Sequence, residues 1–267
     1  MKVYGSMLWV LLVLFIALPV QAEAETGVDK EPTIHFCYEA ADQLPYVGPI
    51  GPQGRPGILI ELIQQAAKDA GLRPSFTRRP WKRCMFNLKA GQSDGIFGVV
   101  WQAERDSWGY FPKTESAALK REWRLWTASY YVYTHNESTL TWDGETFSGL
   151  SFGVSSPLGY VINKRLMAMK VASSESHSVE EGFSLLKLNR LDGYVIDELA
   201  GDDQIARLGA KHVLTKHPIP FYKSDWYLPL SHSFVARYPR QAEKFWQSLQ
   251  KLRLERSDML IEKYREK

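Results

Sequence analysis

Histidine and cysteine are scarce in this chain of 267 residues, with six of the former and two of the latter. The histidines are scattered. His212 and His217 have neither the i,i+4 helical spacing nor the carboxylate partner of a recognised ligand motif, so no metal site is expected. There is no Walker loop and no G-x-G-x-x-G fingerprint. Gly48, Gly51 and Gly54 recur among prolines, the pattern of a loop rather than a phosphate cradle. Gly153-Val154-Ser155-Ser156-Pro157 puts proline where a nucleophile elbow has its second glycine. The motifs therefore assign no catalytic residue and no cofactor, although a carboxylate pair assembled in space leaves little sequence trace. An excess of one charge is lacking too: 33 Lys and Arg stand against 30 Asp and Glu. No block of like charge is long enough to grip nucleic acid or an anionic membrane.

Long apolar runs are confined to the N-terminus. Lys2 precedes the run Met7 to Val20, and small residues follow at Ala22 and Ala24. This is the pattern of a secretory signal peptide, residues 1–22, cleaved near Ala22 or Ala24. The run is shorter than the ~20 residues of a spanning helix, and an acidic stretch follows it. No cysteine stands just after it for a lipid anchor. The mature chain is expected to be exported.

Apolar residues make up 45% and charged residues 24%, which excludes wholesale disorder and a fibrous protein. The length allows one large domain or two small ones. Aromatics are abundant, with 9 Trp, 13 Tyr and 12 Phe; most belong in a core, but such rings also line pockets for small ligands. In an oxidising compartment, the even cysteine count favours a disulfide between Cys37 and Cys84 over a metal site, with two separate buried thiols as the alternative.

Hydrophobic periodicity and turn residues predict a strand at Thr33–Tyr38, a helix at Ile58–Ala70 stopped by Gly71, and a strand at Pro74–Thr77. A short helix from Trp81 to Ala90 and a buried strand at Gly95–Val100 follow. This strand–helix alternation signals a parallel sheet wrapped by helices. After a mixed stretch, Phe111 to Thr127, the grammar restarts. Strands are expected at Tyr130–Thr134 and Ser151–Val154, and a helix from Pro157 to Met169. A helix capped by Ser178 and Glu181 runs to about Leu188, and a strand follows at Gly193–Ile196. A strand at Trp226–Leu230 and two helices, Pro239–Leu252 and Ser257–Arg265, finish the chain. Two units of similar size suggest two lobes with a cleft between them.

Several segments carry a family likeness. They are Ile34–Tyr38 leading to Leu44-Pro45-Tyr46, the helix start Gly57–Leu62, Leu88-Lys89-Ala90-Gly91 with Asp94, and Glu104-Arg105. Gly149-Leu150 before Gly153-Val154, and Leu185-Leu186 through Asn189-Arg190-Leu191-Asp192, complete the series. In this order the sequence resembles extracellular solute-binding proteins of family 3 over nearly all of its mature length. The resemblance implies an α/β, two-lobed periplasmic-binding-protein-like fold of type II, with a ligand cleft between lobes joined by two hinge crossings. Residues 33–123 would build the first part of lobe 1, 124–218 lobe 2, and 219–267 the return to lobe 1. In such a lobe the helix after strand two crosses over strand one, which would bring Cys84 towards Cys37.

Residue by residue, Arg105 matches the family's arginine that clamps a ligand carboxylate, a role suited to a planar fork whose charge persists when desolvated. Asp197 matches the acidic residue that accepts the ligand's ammonium group; it would equally serve as the N-cap of a helix over Glu198–Ala206. Trp81 falls where the family places a side chain that covers the ligand, and Tyr46 matches the family's aromatic position following the first strand; either ring would equally serve as ordinary core. Ser155, Ser156, Gly159 and Tyr160 lie at an expected helix N-terminus where the family contacts ligand. In one departure, Gly98, Val99, Val100 and Trp101 replace the hydroxyl residues that commonly precede the arginine, so backbone donors would have to substitute and Trp101 would narrow the pocket.

The resemblance implies a periplasmic, monomeric protein that binds an amino acid or related small carboxylate and delivers it to a membrane ABC permease, without chemistry. The competing readings are a dehydratase-like enzyme on the same scaffold, with Asp197 or Glu198 as acid or base, and a ligand-presenting partner of a membrane sensor.

Overall fold

The structure, a computed structural model, describes residues 1–2, 31–51, 54–158 and 160–264. The expected signal-peptide run and its cleavage points lie outside the described residues. The chain divides into two units, Met1–Lys30 and Glu31–Lys267, and all helices and strands among the described residues belong to the second. Among these residues no helix is long and apolar enough to cross a membrane.

The first half follows the expected alternation. Strand β1 (Thr33–Glu39) leads through a loop to helix α1 (Ile58–Asp69), strand β2 (Arg73–Arg79), helix α2 (Trp81–Lys89) and strand β3 (Gly95–Ile96). The strands form a parallel sheet in the order β2-β1-β3, with Cys37 of β1 paired to Thr77 on one side and Ile96 on the other. As the central strand, β1 buries Ile34, Phe36, Cys37 and Tyr38. Helix α1 covers the sheet with Leu59, Leu62, Ile63 and Ala66, spaced at i, i+3, i+4 and i+7. Its start requires Gly57, whose φ is 96° and where an added Cβ would lie 2.3 Å from the Tyr46 carbonyl oxygen. Helix α2 packs on β1 and brings Cys84 to Cys37; the two are joined in a disulfide with their Cα atoms 5.3 Å apart.

The single strand expected at Gly95–Val100 is two strands in two sheets. Gly98 adopts φ 76°, which ends β3 and redirects the chain into β4 (Val99–Val100). The remaining strands are β5 (Trp126–His135), the hairpin β6 (Thr141–Trp142) and β7 (Phe147–Ser148), then β8 (Val154–Ser155), β9 (Gly193–Asp197), β10 (Leu214–Lys216) and β11 (Tyr222–Tyr227). The second sheet runs β4-β11-β5-β9-β8, with β10 also on β5. It is mixed, since only β8 and β9 pair in parallel.

Helices α3 (Val161–Ala168), α4 (Val179–Lys187) and α5 (Glu198–Arg207) accompany this sheet. The capping box of Ser178 and Glu181 forms as expected. Helix α3 starts four residues after Pro157, because Tyr160 is still extended at φ −78°, ψ 151°. Strand β11 lies upstream of the expected Trp226–Leu230; Leu228 to Leu230 instead lead to helix α6 (His232–Arg237), which Ser231 caps. The two terminal helices are one, α7 (Pro239–Tyr264). Ser257 does not cap a new helix: its hydroxyl bonds back to the Arg253 carbonyl one turn earlier, and the helix continues.

Helix α7 lies across α1, and Phe245 stacks on Phe36 with ring centres 5.7 Å apart. The Trp246 indole donates to the Leu228 carbonyl at 2.9 Å. The chain end thus returns to the first sheet, and much of the aromatic surplus is core there.

The disulfide encloses a loop set by a sequence separation of 47, which in the chain-entropy model contributes about 4 kcal/mol. Replacing both Cys37 and Cys84 by Ser should lower Tm by on the order of 10 °C in a thermal melt. A double variant melting within about 2 °C of the wild type would show that the bridge contributes little.

Candidate functional site

The carboxyl ends of parallel strands are where open α/β sheets place ligands, and here a cavity opens at that end of the first sheet. Tyr38 and Glu39 close β1, Phe97 and Gly98 follow β3, and Val100 ends β4; all line the cavity. From the second sheet, Tyr130 of β5 and Trp226 of β11 face it, and the Trp226 indole donates to the Tyr130 hydroxyl at 2.8 Å. Tyr46 sits edge-on to Trp226 and Trp126, at 5.0 and 5.8 Å between ring centres. These interlocked rings make a largely aromatic floor. Trp81, the first residue of α2, and Tyr160, the N-cap of α3, complete the aromatic wall.

Two charged side chains enter this apolar space. Arg105 lies on a 3-10 turn, Ala103–Ser107, directly after β4, and is 8% exposed. Its Nη1 donates to the Val100 carbonyl at 2.9 Å, and its guanidinium lies 5.9 Å from the Trp108 ring centre. It makes no ion pair among the described residues. Burial lowers its pKa, with Glu104 opposing, but a guanidinium stays charged through such a shift. Glu39 is the other; its Oε1 accepts from the Ala40 N–H at 2.8 Å. The site therefore presents a nearly buried cation and a half-buried anion within walls of aromatic rings.

Four of the residues singled out from the sequence, Tyr46, Trp81, Arg105 and Tyr160, come together around the cavity. Trp101, Ser155, Ser156 and Asp197 do not line it, and the Ser155 hydroxyl donates to the Glu175 carbonyl at 3.2 Å and accepts from the His177 N–H at 3.3 Å. Trp101 donates from its indole to Asp106 at 3.0 Å and lies under Lys113, 5.6 Å from its ring centre. It packs with the Cys37–Cys84 bridge instead. Ser156 is fully buried, with no partner for its hydroxyl among the described residues. Gly159 lies outside the described residues. Asp197 is also fully buried: it caps α5, accepting from the Ala200 N–H at 3.1 Å, and accepts from Gln43 Nε2 at 3.1 Å. The Tyr46 hydroxyl faces the same carboxyl.

Sequence reasoning passed over Glu39 and Gln43. Glu39 had a readable signal, since it directly follows the strand Ile34–Tyr38 at its carboxyl end. Gln43 had none: it reaches the cavity through a turn in which its carbonyl accepts from the Tyr46 and Val47 N–H groups, at 2.9 and 3.1 Å. Among the described residues, no group of three or more His, Cys, Asp or Glu is placed to hold a metal ion.

Burial pushes the Asp197 carboxyl from its ordinary 3.8 up to about 7, against the lowering effect of the Ala200 N–H, Tyr46 and Gln43. The unfolded chain therefore loses this proton first as pH rises, and the group destabilises the fold progressively between about pH 4 and pH 7. Asp197→Asn keeps a capping oxygen but does not titrate. Urea unfolding at fixed pH should show the wild type losing on the order of 4 kcal/mol relative to this variant across that window. A difference that is constant with pH would mean that Asp197 titrates at its ordinary value.

No family model matches the sequence, and a search of the curated proteins finds no match. Solved structures do match. An ancestral arginine-binding protein bound to arginine superposes with a TM-score of 0.68 at 16% identity, covering 88% of this chain and 99% of that one. A histidine kinase sensor domain with similarity to periplasmic binding proteins gives 0.67 at 18%, covering 88% and 97%. The amino acid ABC transporter substrate-binding protein AbpA from Streptococcus pneumoniae, bound to L-arginine, gives 0.66 at 16%, covering 86% and 93%. At these identities the likeness is one of fold: the chain has the mixed α/β architecture of periplasmic-binding-protein-like structures, in keeping with the solute-binding family 3 resemblance of its motifs.

Proposed function

We propose that this chain is an exported solute-binding protein that captures a small carboxylate-bearing solute, an amino acid or a relative of one, for uptake by a membrane ABC permease. The observation that carries the reading is Arg105: a nearly buried guanidinium on the wall of an aromatic cavity, with no carboxylate of the described residues paired to it. Holding such a charge out of water costs several kcal/mol, and a ligand carboxylate, which matches its fork in two parallel hydrogen bonds, offsets that cost. Gly98 lines the same wall, where an added Cβ would meet no neighbour within 4 Å. Backbone there stays open to a ligand in place of the hydroxyls that this segment lacks. Glu39 is the cavity's acceptor for a ligand cation, and the rings beside it add cation–π attraction.

In this reading residues 33–123 and 219–267 form one lobe and 124–218 the other, the two close over the solute, and the protein acts in the periplasm as a monomer after loss of residues 1–22. The enzyme alternative has little support in the cavity, because neither of its candidate acids lines it: Asp197 is sealed, and Glu198 is paired with Lys216 at 2.6 Å. The sensor alternative is favoured by one observation, the similarity to a histidine kinase sensor domain. It uses the same cavity and differs in the partner that reads the closed form.

A thermal-shift screen of amino acids, polyamines and small organic acids should return a carboxylate that raises Tm by mass action. Arg105→Ala should weaken that carboxylate by at least ~30-fold in calorimetry, as loss of one partner of a buried charge pair costs about 2–5 kcal/mol. Unchanged affinity would remove Arg105 from the site. The solute recovered after incubation should be unaltered; turnover would establish an enzyme instead.

A further inference from the structure

The carboxyl group that the family resemblance assigns to a ligand's ammonium is closed off from the cavity by a side chain of this protein. Asp197 has no exposed surface and does not line the cavity. Its Oδ1 is taken by the Ala200 N–H, its Oδ2 by Gln43 Nε2, and the Tyr46 hydroxyl faces the group as well. Gln43, by contrast, lines the cavity and stands between it and Asp197.

The plug is held at both ends. Tyr160 donates its hydroxyl hydrogen to Gln43 Oε1 at 2.9 Å. Gln43 thus offers its NH2 to Asp197 and its oxygen to Tyr160, so one orientation of the carboxamide serves both neighbours. The backbone of Gln43 is fixed as well, by the reciprocal bonds of the turn with Val47, 2.9 Å to its carbonyl and 3.1 Å from its N–H. Gln43 and Tyr160 also line a second, neighbouring groove, so the pair forms part of the wall between the two.

A solute whose carboxylate lies on Arg105 carries any α-ammonium one carbon away. To pair with Asp197 that ammonium must displace the Gln43 carboxamide and break both of its side-chain hydrogen bonds. If it does not, the carboxylate left to it on the cavity wall is Glu39, and an ammonium held one carbon from the Arg105 pair has less freedom to reach it than a cation farther along the solute. A carboxylate without an α-ammonium meets neither penalty. Its remaining atoms would face the rings that line the cavity, Tyr38, Trp81, Phe97 and Trp226 among them, and a cation remote from the carboxylate would have Glu39 as its acceptor.

We infer that Gln43 is a specificity-determining residue and that the preferred solute is a small carboxylate with no ammonium group on its α-carbon. The inference rests on the reading of the cavity as a carboxylate site.

The test uses matched pairs that differ only in the α-amino group: 3-phenylpropanoate and L-phenylalanine, 6-aminohexanoate and L-lysine, 4-methylpentanoate and L-leucine. Calorimetry on the wild type should find, in every pair of which a member binds, that the deamino member binds ten-fold or more tighter than its amino acid. Gln43→Ala, by opening Asp197, should cut that ratio at least ten-fold, mainly through tighter binding of the amino acid. Asp197→Asn in the presence of Gln43 should leave the wild-type ratio within two-fold, and this variant carries the test should Gln43→Ala fail to fold. An amino acid that binds the wild type as tightly as its deamino partner, or that loses ten-fold or more in Asp197→Asn, overturns the inference while the carboxylate reading stands. If no member of any pair binds, the carboxylate reading falls and the inference with it.

Discussion

The cavity depends on how the chain leaves its first sheet. Strand β3 ends at Ile96, and within three residues the backbone, turned by the positive φ of Gly98, runs as β4 beside Trp226 and Tyr227 of β11. That turn makes Val99 and Val100 part of the second sheet and leaves Phe97 and Gly98 on the cavity wall. It also sets the start of the 3-10 turn that carries Arg105, whose guanidinium is anchored on the Val100 carbonyl of the same strand. A residue with a side chain at position 98 would be strained in this conformation, and a shift there would move the cation, the wall and the junction of the two sheets together. The second sheet answers with β5 and β11, paired from Trp126–Trp226 to Tyr130–Tyr222, so the floor of the cavity is braced by a continuous antiparallel ladder.

Much of this was legible because it rests on local patterns. The helices α1, α2 and α4 announce themselves by apolar spacing and by Gly71, Gly91 and the Ser178–Glu181 box. The central strands announce themselves by buried alternation. Two acidic positions in the family-like motifs have local structural work: Asp94 accepts from the His35 N–H at 2.8 Å, and Asp192 accepts from the N–H groups of Ser151, Phe152 and Gly153, each at 2.6 Å. Such motifs mark the fold dependably and the ligand hardly at all. The elements that were not legible depend on distant partners. Strands β10 and β6–β7 are only two or three residues long and exist through pairing, and a strand split between sheets at Gly98 reads in sequence as one apolar run. Ser257 reads as a helix start because serine caps helices often, but nothing local tells whether its hydroxyl caps forwards or bonds back.

At the site the same division holds. Arg105, Tyr46, Trp81 and Tyr160 follow from positions that a sequence motif or an expected helix start marks. Trp101 is one residue past β4 and points to the other side, where Asp106 holds its indole and the disulfide cluster receives its ring. Asp197 was open to two readings, cap and ligand, and the observed carboxyl does cap α5; its second oxygen is engaged by a residue 154 positions away in sequence. No local pattern could have revealed that contact, because Gln43 lies in a turn whose side chains point wherever tertiary packing sends them.

The near balance of Lys and Arg against Asp and Glu gives this protein little long-range field with which to gather a charged solute. On the proposed reading, selection then comes from groups whose satisfaction changes on binding. Arg105 and Glu39 stand at the cavity without a partner of opposite charge among the described residues, whereas Asp197, Gln43 and Tyr160 satisfy one another. A solute gains by serving the first set and loses by disturbing the second. Unpaired buried polar groups discriminate far more sharply than apolar surface does, so the aromatic walls set the size of the solute and these few polar atoms set its chemistry. The walls matter to this balance: the rings from Tyr46 through Trp226 to Tyr130 are engaged with one another, Arg105 lies over Trp108 instead, and on this reading its charge is left for the solute to meet.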